Sequence, residues 1–388
     1  MRSVLCLIVG CVAFLGIALA GEPKEVEVQG LYEGSCKDAK GEGKLEARVV
    51  AMGKKVYKVF LRDGIGEKST ARLEMDGTTA PGGEVGFAGK AGDVVWEGKY
   101  ADGAVTGKFG DGGTFELKRV QRKSPTLGAK PPEGAIVLLD GKSFEEMVRV
   151  GGQPWYLGDK SKEGWVVWEV PIRTIAKAPA AWPTKEKAVP EGWEVLEKEH
   201  RQVDAVLVIG EDGSIQVPRG GMNSKQQIEG SFRLHVELLN PFMPDGRGQG
   251  RGNSGVYLPN GEEIQVLDSF GMPTYTGGGA GGLYAYKDPD CMADIEYLKG
   301  GKESKFTLAS LPPGEWQTYD IEYRVTKRDG KVVGKPRVTL LHNGIKIHDN
   351  VEPKGDAKKG GFHFQDHGCP VRYRNIWVLP LGDKAGEL

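Results

Sequence analysis

The 388-residue chain carries 52 Lys and Arg against 53 Asp and Glu, a formal net charge of −1 at pH 7. This balance, without any basic patch or block of like charge, argues against nucleic acid as a partner. Glycine accounts for 59 residues, about twice its ordinary usage, and short runs rich in Val, Ile, Tyr, Phe and Trp lie between the glycines. The composition favours a mostly β protein, and the length favours two domains that each bury a core.

The first 20 residues have the pattern of a secretory signal peptide. Arg2 precedes an apolar run from Val4 to Leu19, and Ala18-Leu19-Ala20 forms a small-residue cleavage site. A membrane anchor is the alternative, but the apolar run is short and charged residues follow it at once. No later stretch is long and apolar enough to span a bilayer. We therefore expect an exported protein, periplasmic or secreted, with no integral membrane segment in its mature chain.

Three cysteines remain after the signal peptide: Cys36, Cys291 and Cys369. An odd number allows at most one bridge, so the fold does not depend on disulfides. Cys291 and Cys369 both lie in the second half of the chain, and export permits oxidation. We expect a disulfide between these two.

Residues 21–120 are predicted to form a small antiparallel β domain. Strand-like runs alternate with Asp-Gly turn signals at Asp63, Asp76, Asp102 and Asp111. The segment contains no histidine and no acidic cluster with ligand spacing, so we interpret it as an accessory domain. Residues 121–133 are charged, contain prolines and have few apolar residues, which predicts a linker.

The second domain, residues 134–381, contains one informative stretch from Gly252 to Ser269. Alternation from Glu263 onward places Glu263 and Gln265 on one strand face and Ile264 on the other. Asp268 falls on the wrong face unless one β-bulge intervenes. Two carboxylates and an amide on one face would suit a sugar site. The alternative is that Glu263 is a solvated edge charge and Asp268 caps a turn.

The tail of this domain is the second informative piece. His363, Gln365 and His367 share one strand face, with Phe362 and Phe364 on the opposite face. Two histidines spaced by two on a strand could bind a divalent metal, and we assign His363 and His367 as its tentative ligands. The alternative is that one or both only form hydrogen bonds in the groove. The sequence predicts no helix of consequence, and we expect an all-β fold with a two-sheet antiparallel sandwich and one concave face.

Five ordered motifs within about residues 133–381 resemble a known family. They are Asn253-Ser254-Gly255-Val256, Glu263-Ile264-Gln265-Val266-Leu267-Asp268-Ser269, Gly314-Glu315-Trp316, His342-Asn343-Gly344, and Phe364-Gln365-Asp366-His367-Gly368 with the following Arg372-Tyr373-Arg374-Asn375-Ile376-Trp377. The chain resembles the 3-keto-disaccharide hydrolases, also described as 3-keto-glucoside lyases or hydratases and formerly a domain of unknown function. The resemblance implies a concanavalin-A-like jelly-roll β-sandwich that acts on glycosides oxidised at C3.

Such chemistry gives the candidate residues their expected roles. A C3 ketone makes the C2 proton acidic, so the glycosidic bond can break by elimination once a base removes that proton. We assign Glu263 or Asp268 as the base and His367 as an acid/base group or metal ligand. The expected substrate-binding residues are Asn253, Tyr257, Gln265, Gln365 and Arg372, with Arg372 able to stabilise enolate charge.

The sequence leaves two alternatives to a 3-keto-glycoside hydrolase or lyase. One is a non-catalytic carbohydrate-binding or surface interaction protein on the same fold. The other is a retaining glycosidase, which needs two carboxyl groups roughly 5–5.5 Å apart. For the candidate catalytic site, we expect Glu263, Asp268 and His367 to converge on one sheet face.

Overall fold

The structure is a computed structural model. It describes residues 22–66, 69–141, 146–149, 212–218, 220–272, 274–289 and 308–382, together with the backbone of four short strands between residues 156 and 209. The expected signal peptide, residues 1–20, lies outside the described residues. No helix in the described part of the chain has both the length and the apolar character needed to cross a membrane.

The first domain is a closed antiparallel barrel. A four-residue helix α1 (Glu25–Val28) precedes eight strands, and β8 pairs with β1 to close the barrel. The strands are β1 (Gly30–Asp38), β2 (Gly41–Ala51), β3 (Val56–Asp63), β4 (Thr70–Thr79), β5 (Val85–Ala91), β6 (Val94–Ala101), β7 (Ala104–Phe109) and β8 (Gly113–Val120). Alternating apolar side chains fill its interior, as the period-2 pattern requires.

Glycines within the barrel strands make room for large aromatic rings. A Cβ on Gly107 would lie 2.4 Å from the Phe115 ring, so only glycine lets that ring pack against the strand. Trp96 stacks on Phe109 with ring centroids 3.9 Å apart. The high glycine content here therefore serves interior packing.

The second domain has two main sheets. One has five strands in the order β10-β16-β25-β18-β19, and the other has the order β14-β15-β26-β17-β20-β23-β24, with β9 paired to β26. The ranges of the first sheet are β10 (Met147–Arg149), β16 (Met222–Ser224), β18 (Ser254–Tyr257), β19 (Glu263–Val266) and β25 (His363–Phe364). Those of the second are β9 (Ile136–Leu139), β14 (Val208–Ile209), β15 (Ile215–Gln216), β17 (Ser231–Leu239), β20 (Trp316–Arg324), β23 (Arg337–His342), β24 (Ile345–Val351) and β26 (Arg372–Leu381).

Small elements complete the domain. Three short strands form a separate sheet, two more form a ribbon, and one 3-10 turn precedes β18. These are β11 (Tyr156–Gly158), β12 (Val167–Glu169), β13 (Glu194–Val195), β21 (Lys327–Arg328), β22 (Lys331–Val332) and the turn Gly248–Gly250. The all-β class expected from the sequence is confirmed.

The core of the second domain lies between the two sheets. Val256, Ile264 and Phe364 from the five-stranded sheet pack with Leu234 and Tyr373 from the other, and all five are almost fully buried. Their chain neighbours on each strand therefore point outward. The polar residues Glu263 and His363 consequently lie on the outer face of the five-stranded sheet.

The segment predicted as a linker packs on the outer face of the larger sheet. Thr126 donates from Oγ1 to Asp320 Oδ2 at 2.6 Å, and the Gly128 N–H donates to Glu237 Oε1 at 2.5 Å. His235 lies buried beside these acids, with Nδ1 2.6 Å from Asp320 Oδ1. Side-chain hydrogen bonds thus hold this segment against the sheet, although its composition favoured a linker without such contacts.

The barrel and the sandwich share one hydrophobic cluster. Leu31, Val50 and Phe60 of the barrel belong to the same cluster of buried residues as the sandwich core. Arg48, 1% exposed, donates from Nη2 to the Leu308 carbonyl at 2.6 Å and from Nη1 to the Ser310 carbonyl at 3.1 Å. This interface combines apolar burial with a buried arginine whose guanidinium is hydrogen-bonded.

Two cysteines are present among the described residues. Cys36 and Cys369 are both buried free thiols. The disulfide expected between Cys291 and Cys369 is therefore not formed at Cys369, and Cys291 lies outside the described residues.

Candidate functional site

A transverse row of polar side chains crosses the outer face of the five-stranded sheet. Asn223 on β16 lies opposite His363 on β25, which lies opposite Tyr257 on β18, which lies opposite Glu263 on β19. Because cross-strand partners point to the same face, these four side chains are neighbours. The row brings together residues that are up to 140 positions apart in the chain.

A loop beside β19 extends this row by one residue. Ile264 and Leu283 form an antiparallel bridge, and the Tyr284 N–H donates to the Glu263 carbonyl at 3.0 Å. This pairing sets Tyr284 opposite Glu263 and Gly282 opposite Gln265. Glu263 therefore lies between two tyrosines, Tyr257 and Tyr284.

The Glu263 carboxyl group lies over a glycine that leaves room for it. A Cβ on Gly255 would be 2.2 Å from Glu263 Oε1, so no other residue fits beneath the carboxyl in this arrangement. Glu263 is 7% exposed, and burial raises the pKa of its carboxyl above the ordinary value. A buried carboxyl with a raised pKa has the properties of a general base.

Hydrogen bonds hold one oxygen of this carboxyl and leave the other available. The Tyr257 hydroxyl donates to Glu263 Oε2 at 2.7 Å, and Gln365 Nε2 donates to the Tyr257 Oη at 3.0 Å. Burial, together with the Glu263 charge, raises the pKa of Tyr257, so its hydroxyl stays protonated. The chain from Gln365 through Tyr257 thus orients Glu263, and Oε1 remains free to accept a proton.

A cluster of amides lies on β19 and next to the ends of β18 and β25. Gln249 Oε1 accepts a hydrogen bond from Gln265 Nε2 at 2.7 Å and another from Asn253 Nδ2 at 2.9 Å. The oxygens Asn253 Oδ1, Gln265 Oε1 and Gln365 Oε1 are buried and have no hydrogen-bond partner among the described residues. Buried polar atoms in a native structure nearly always find partners, so these three acceptors suit hydroxyl groups of a bound ligand.

His363 completes the row on the other side of Tyr257. Its Nδ1 lies 2.7 Å from Asn223 Oδ1, and its ring centroid is 5.1 Å from that of Tyr257. The amide oxygen can only accept, so Nδ1 carries the proton and Nε2 keeps a lone pair in the neutral ring. Burial lowers the pKa of His363, which favours that neutral form.

Asp268 occupies a different environment from Glu263. Strand β19 ends at Val266 without a bulge that would return Asp268 to the Glu263 face. Asp268 is 2% exposed, and its Oδ2 accepts a hydrogen bond from Arg251 Nε at 2.7 Å. The structure thus assigns this carboxyl to a buried ion pair and not to the row.

His367 and Arg372 also lie outside the row. Strand β25 ends at Phe364, and His367 is exposed on a turn in which the Gly368 N–H donates to Asp366 Oδ1. Arg372 follows the buried Val371 and precedes the buried Tyr373 on β26, so alternation turns it to the outer face of the other sheet. Of the three residues expected to converge, the structure brings only Glu263 to this site.

The tentative metal site is not assembled by the described residues. His363 bonds to Asn223 in the row, whereas His367 lies on the turn. Within the described ranges, no group of three or more His, Cys, Asp or Glu side chains is arranged to hold a metal ion. These described side chains do not fit the donor set of a metal centre.

Sequence reasoning missed several residues of the site. Asn223 lies on the three-residue strand β16, and Gln249 lies in the 3-10 turn before β18. Tyr284 lies in a glycine-rich loop whose pairing with β19 has no periodic signal. Gly255 belongs to the motif Asn253-Ser254-Gly255-Val256. Its position beneath the Glu263 carboxyl depends on the register of β18 and β19. Only the contacts between distant segments of the folded chain reveal these four positions.

The comparisons with known proteins agree with this setting. Residues 134–379 match the family model of the 3-keto-alpha-glucoside-1,2-lyase-like domain. No curated protein matches the chain.

Two solved structures are similar to parts of the chain. A "putative glycosyl hydrolase" from Parabacteroides distasonis ATCC 8503 is 26% identical, with 64% of this chain and 85% of that chain covered and a TM-score of 0.39. A xylan beta-1,4-xylosidase from Bacillus halodurans C-125 is 9% identical, with 91% of this chain and 99% of that chain covered and a TM-score of 0.23. The family match covers more than half of the chain and carries the conclusion: this carbohydrate-active protein belongs to the 3-keto-alpha-glucoside-1,2-lyase-like domain family.

Proposed function

We propose that this protein is an exported enzyme that cleaves 3-keto glycosides, with Glu263 as the general base. The observation that carries the proposal is the Glu263 carboxyl, buried over Gly255 and held through one oxygen by Tyr257. Family membership supports the substrate class, and the first 20 residues support export.

The proposed reaction begins with proton transfer from carbon. Glu263 Oε1 takes the C2 proton, and the electron pair of the C2–H bond moves into the enolate of the C3 ketone. The enolate then expels the C1 substituent: the C1–O bond breaks, its electron pair leaves with the glycosidic oxygen, and that oxygen takes up the proton carried by Glu263. Water adds to C1 of the resulting enone while a proton returns to C2, so the overall change is hydrolysis.

The other residues of the row support this step by position and charge. Tyr257 keeps Oε1 free by binding Oε2, and burial keeps the carboxyl's pKa closer to working pH than that of an exposed glutamate. His363 is neutral and hydrogen-bonded to Asn223. It therefore places a polar group beside the Tyr257 ring without adding charge. The unpartnered oxygens of Asn253, Gln265 and Gln365 accept hydrogen bonds from sugar hydroxyls.

The environment of Asp268 argues against a retaining glycosidase. That reaction needs a second carboxyl group roughly 5–5.5 Å from the first. Asp268, the candidate for that role, is buried and bonded to Arg251. A proton-abstraction mechanism needs only one carboxylate, which fits the single acid of the row.

The test compares a 3-keto disaccharide with its unoxidised parent. We expect turnover of the oxidised sugar only, and a loss of about 10²–10⁴-fold in kcat for Glu263→Gln, the usual contribution of a general base. Glu229→Gln, which removes an exposed carboxylate elsewhere on the same domain, is the matched control and should keep full activity. Equal turnover of both sugars, or an active Glu263→Gln variant, would contradict the proposal.

A further inference from the structure

Two tyrosines form an aromatic surface at the end of the polar row. Tyr275 and Tyr284 contact each other edge to face, with ring centroids 6.2 Å apart and hydroxyl oxygens 2.7 Å apart. Tyr275 is 43% exposed. The described part of the chain places no other ring on it.

The surface is supported from below by backbone. A Cβ on Gly278 would lie 2.7 Å from Cε2 of Tyr275, so glycine allows the ring to lie against the loop. The Gly278 carbonyl accepts a hydrogen bond from Gln249 Nε2 at 2.9 Å. The Tyr275 ring thus lies close against the loop at Gly278, while 43% of the residue remains exposed.

This surface is joined to the site by two separate connections. Tyr284 is paired with Glu263 through its backbone N–H, and Gln249, which supports Gly278, also binds Asn253 and Gln265. Burial and the hydrogen bond with Tyr284 raise the pKa of Tyr275, and the Glu263 charge adds a smaller contribution in the same direction. The two tyrosines therefore extend the same binding surface beyond Glu263.

We propose that Tyr275 and Tyr284 form a stacking subsite for a second sugar ring, the leaving group of the substrate. The inference rests on the proposed function for the identity of the first ring, which lies over Glu263 and Gly255. A ring bonded through C1 continues from that position toward Tyr284 and Tyr275. An apolar sugar face packs on an aromatic face, while the paired hydroxyls bind the polar edge. The enzyme is thereby adapted to disaccharides and other ring-bearing glycosides over simple alkyl glycosides.

The first experiment measures steady-state kinetics of the full chain. For Tyr275→Ala, we expect KM for a 3-keto disaccharide to rise about tenfold, the effect of losing one aromatic contact, with little change in kcat. KM for the 3-keto methyl glucoside, which lacks the second ring, should stay unchanged. Tyr275→Phe, which keeps the ring, should retain most of the affinity. Tyr286→Ala is the control: it is 44% exposed on the same loop, but the Lys354 ammonium lies 5.4 Å from its ring centroid.

The second experiment separates this subsite from the proposed chemistry. Calorimetric binding of unoxidised disaccharides, namely cellobiose, maltose, sucrose and trehalose, requires no reaction at C3. We expect the wild type and Glu263→Gln to bind at least one of them equally, and Tyr275→Ala to bind it about tenfold more weakly. This result would support the subsite even if no 3-keto sugar were turned over. An equal loss of affinity in Tyr286→Ala, unchanged binding in Tyr275→Ala, or no disaccharide binding by the wild type would each overturn the inference.

Discussion

Arg251 and Asp268 form a buried ion pair that joins the site strand to the barrel. Arg251 Nε donates to Asp268 Oδ2 at 2.7 Å, and its Nη1 donates to the Ala51 carbonyl of the barrel at 3.1 Å. The backbone N–H of Asp268 also donates to the Arg251 carbonyl at 3.1 Å. The pair therefore holds the loop before β18, the end of β19 and the barrel wall together.

Loss of Asp268 should reduce stability. Asp268→Ala leaves the Arg251 charge buried without its partner, a defect that costs roughly 3–5 kcal/mol. Denaturant unfolding should show that loss, whereas Glu263→Gln should keep nearly the wild-type free energy of unfolding and lose turnover. An Asp268→Ala protein of normal stability without activity would restore Asp268 as a catalytic candidate.

Removal of the barrel should impair the second domain. A chain beginning at residue 121 loses Leu31, Val50 and Phe60 from the shared cluster and leaves the Leu308 and Ser310 carbonyls without Arg48. We expect poor solubility or a lowered Tm. Expression and thermal unfolding of the truncated chain measure this, with Val95→Ala on the exposed barrel surface of the full chain as a control. A soluble, fully active truncation would show that the interface is dispensable.

Gly255→Ala should reduce activity strongly. The new Cβ would lie 2.2 Å from Glu263 Oε1 and must displace the carboxyl from its position. We expect kcat to fall by about 100-fold or more, since a misplaced base loses most of its contribution. Gly279→Ala is the matched control, because its Cβ would meet nothing closer than Ser269 Oγ at 3.6 Å. Similar activity in the two variants would contradict the position assigned to the base.

The acid limb of the pH–rate profile should lie above the ordinary range of a glutamate. Burial raises the pKa of Glu263, so the basic form accumulates only at higher pH. The hydrogen bond from Tyr257 opposes that rise, because it stabilises the carboxylate. Tyr257→Phe should therefore move the acid limb of kcat/KM to still higher pH. A shift to lower pH, or none, would show that another group governs the limb.

Protein stability should depend on pH through His235 and Glu237 beneath the 121–133 segment. Burial alone would lower the pKa of His235. Its hydrogen bond with Asp320 and its interaction with the Glu237 carboxyl outweigh burial and raise the pKa from 6.5 to about 8. Its contribution is complete below about pH 6.5 and is lost as the pH rises through 8. Burial would raise the pKa of Glu237. Its interactions with His235, Asn375, Arg374 and the Gly128 N–H outweigh burial and lower the pKa from 4.5 to about 2. The Glu237 contribution is present above about pH 4.5 and is lost as the pH falls toward 2.

Unfolding measurements from pH 2 to 9 check this window. Stability should be greatest between about 4.5 and 6.5, where both contributions are complete. His235→Gln should remove most of the decline between pH 6.5 and 8.5, whereas His367→Gln, at an exposed histidine on a turn, should leave it intact. A decline of equal size in His235→Gln would assign the effect to other groups.

The sequence by itself determined which faces of single strands are polar. The alternation of Glu263 with Ile264, and of His363 with Phe362 and Phe364, has a period of two, and this local pattern places one set of side chains in the core. The same reasoning indicated the all-β class, and the motifs indicated the family. These features depend only on neighbours in the chain.

Tertiary structure decided which polar residues meet. Alternation stops where a strand ends. It therefore could not place Asp268, which lies beyond the end of β19 at Val266, or His367, which lies on the turn beyond the end of β25 at Phe364. Arg372 lies on the other sheet, and Tyr284 reaches Glu263 only through loop pairing. The partners of Glu263 depend on strand order and register, which arise from contacts between distant segments and leave no period in the sequence.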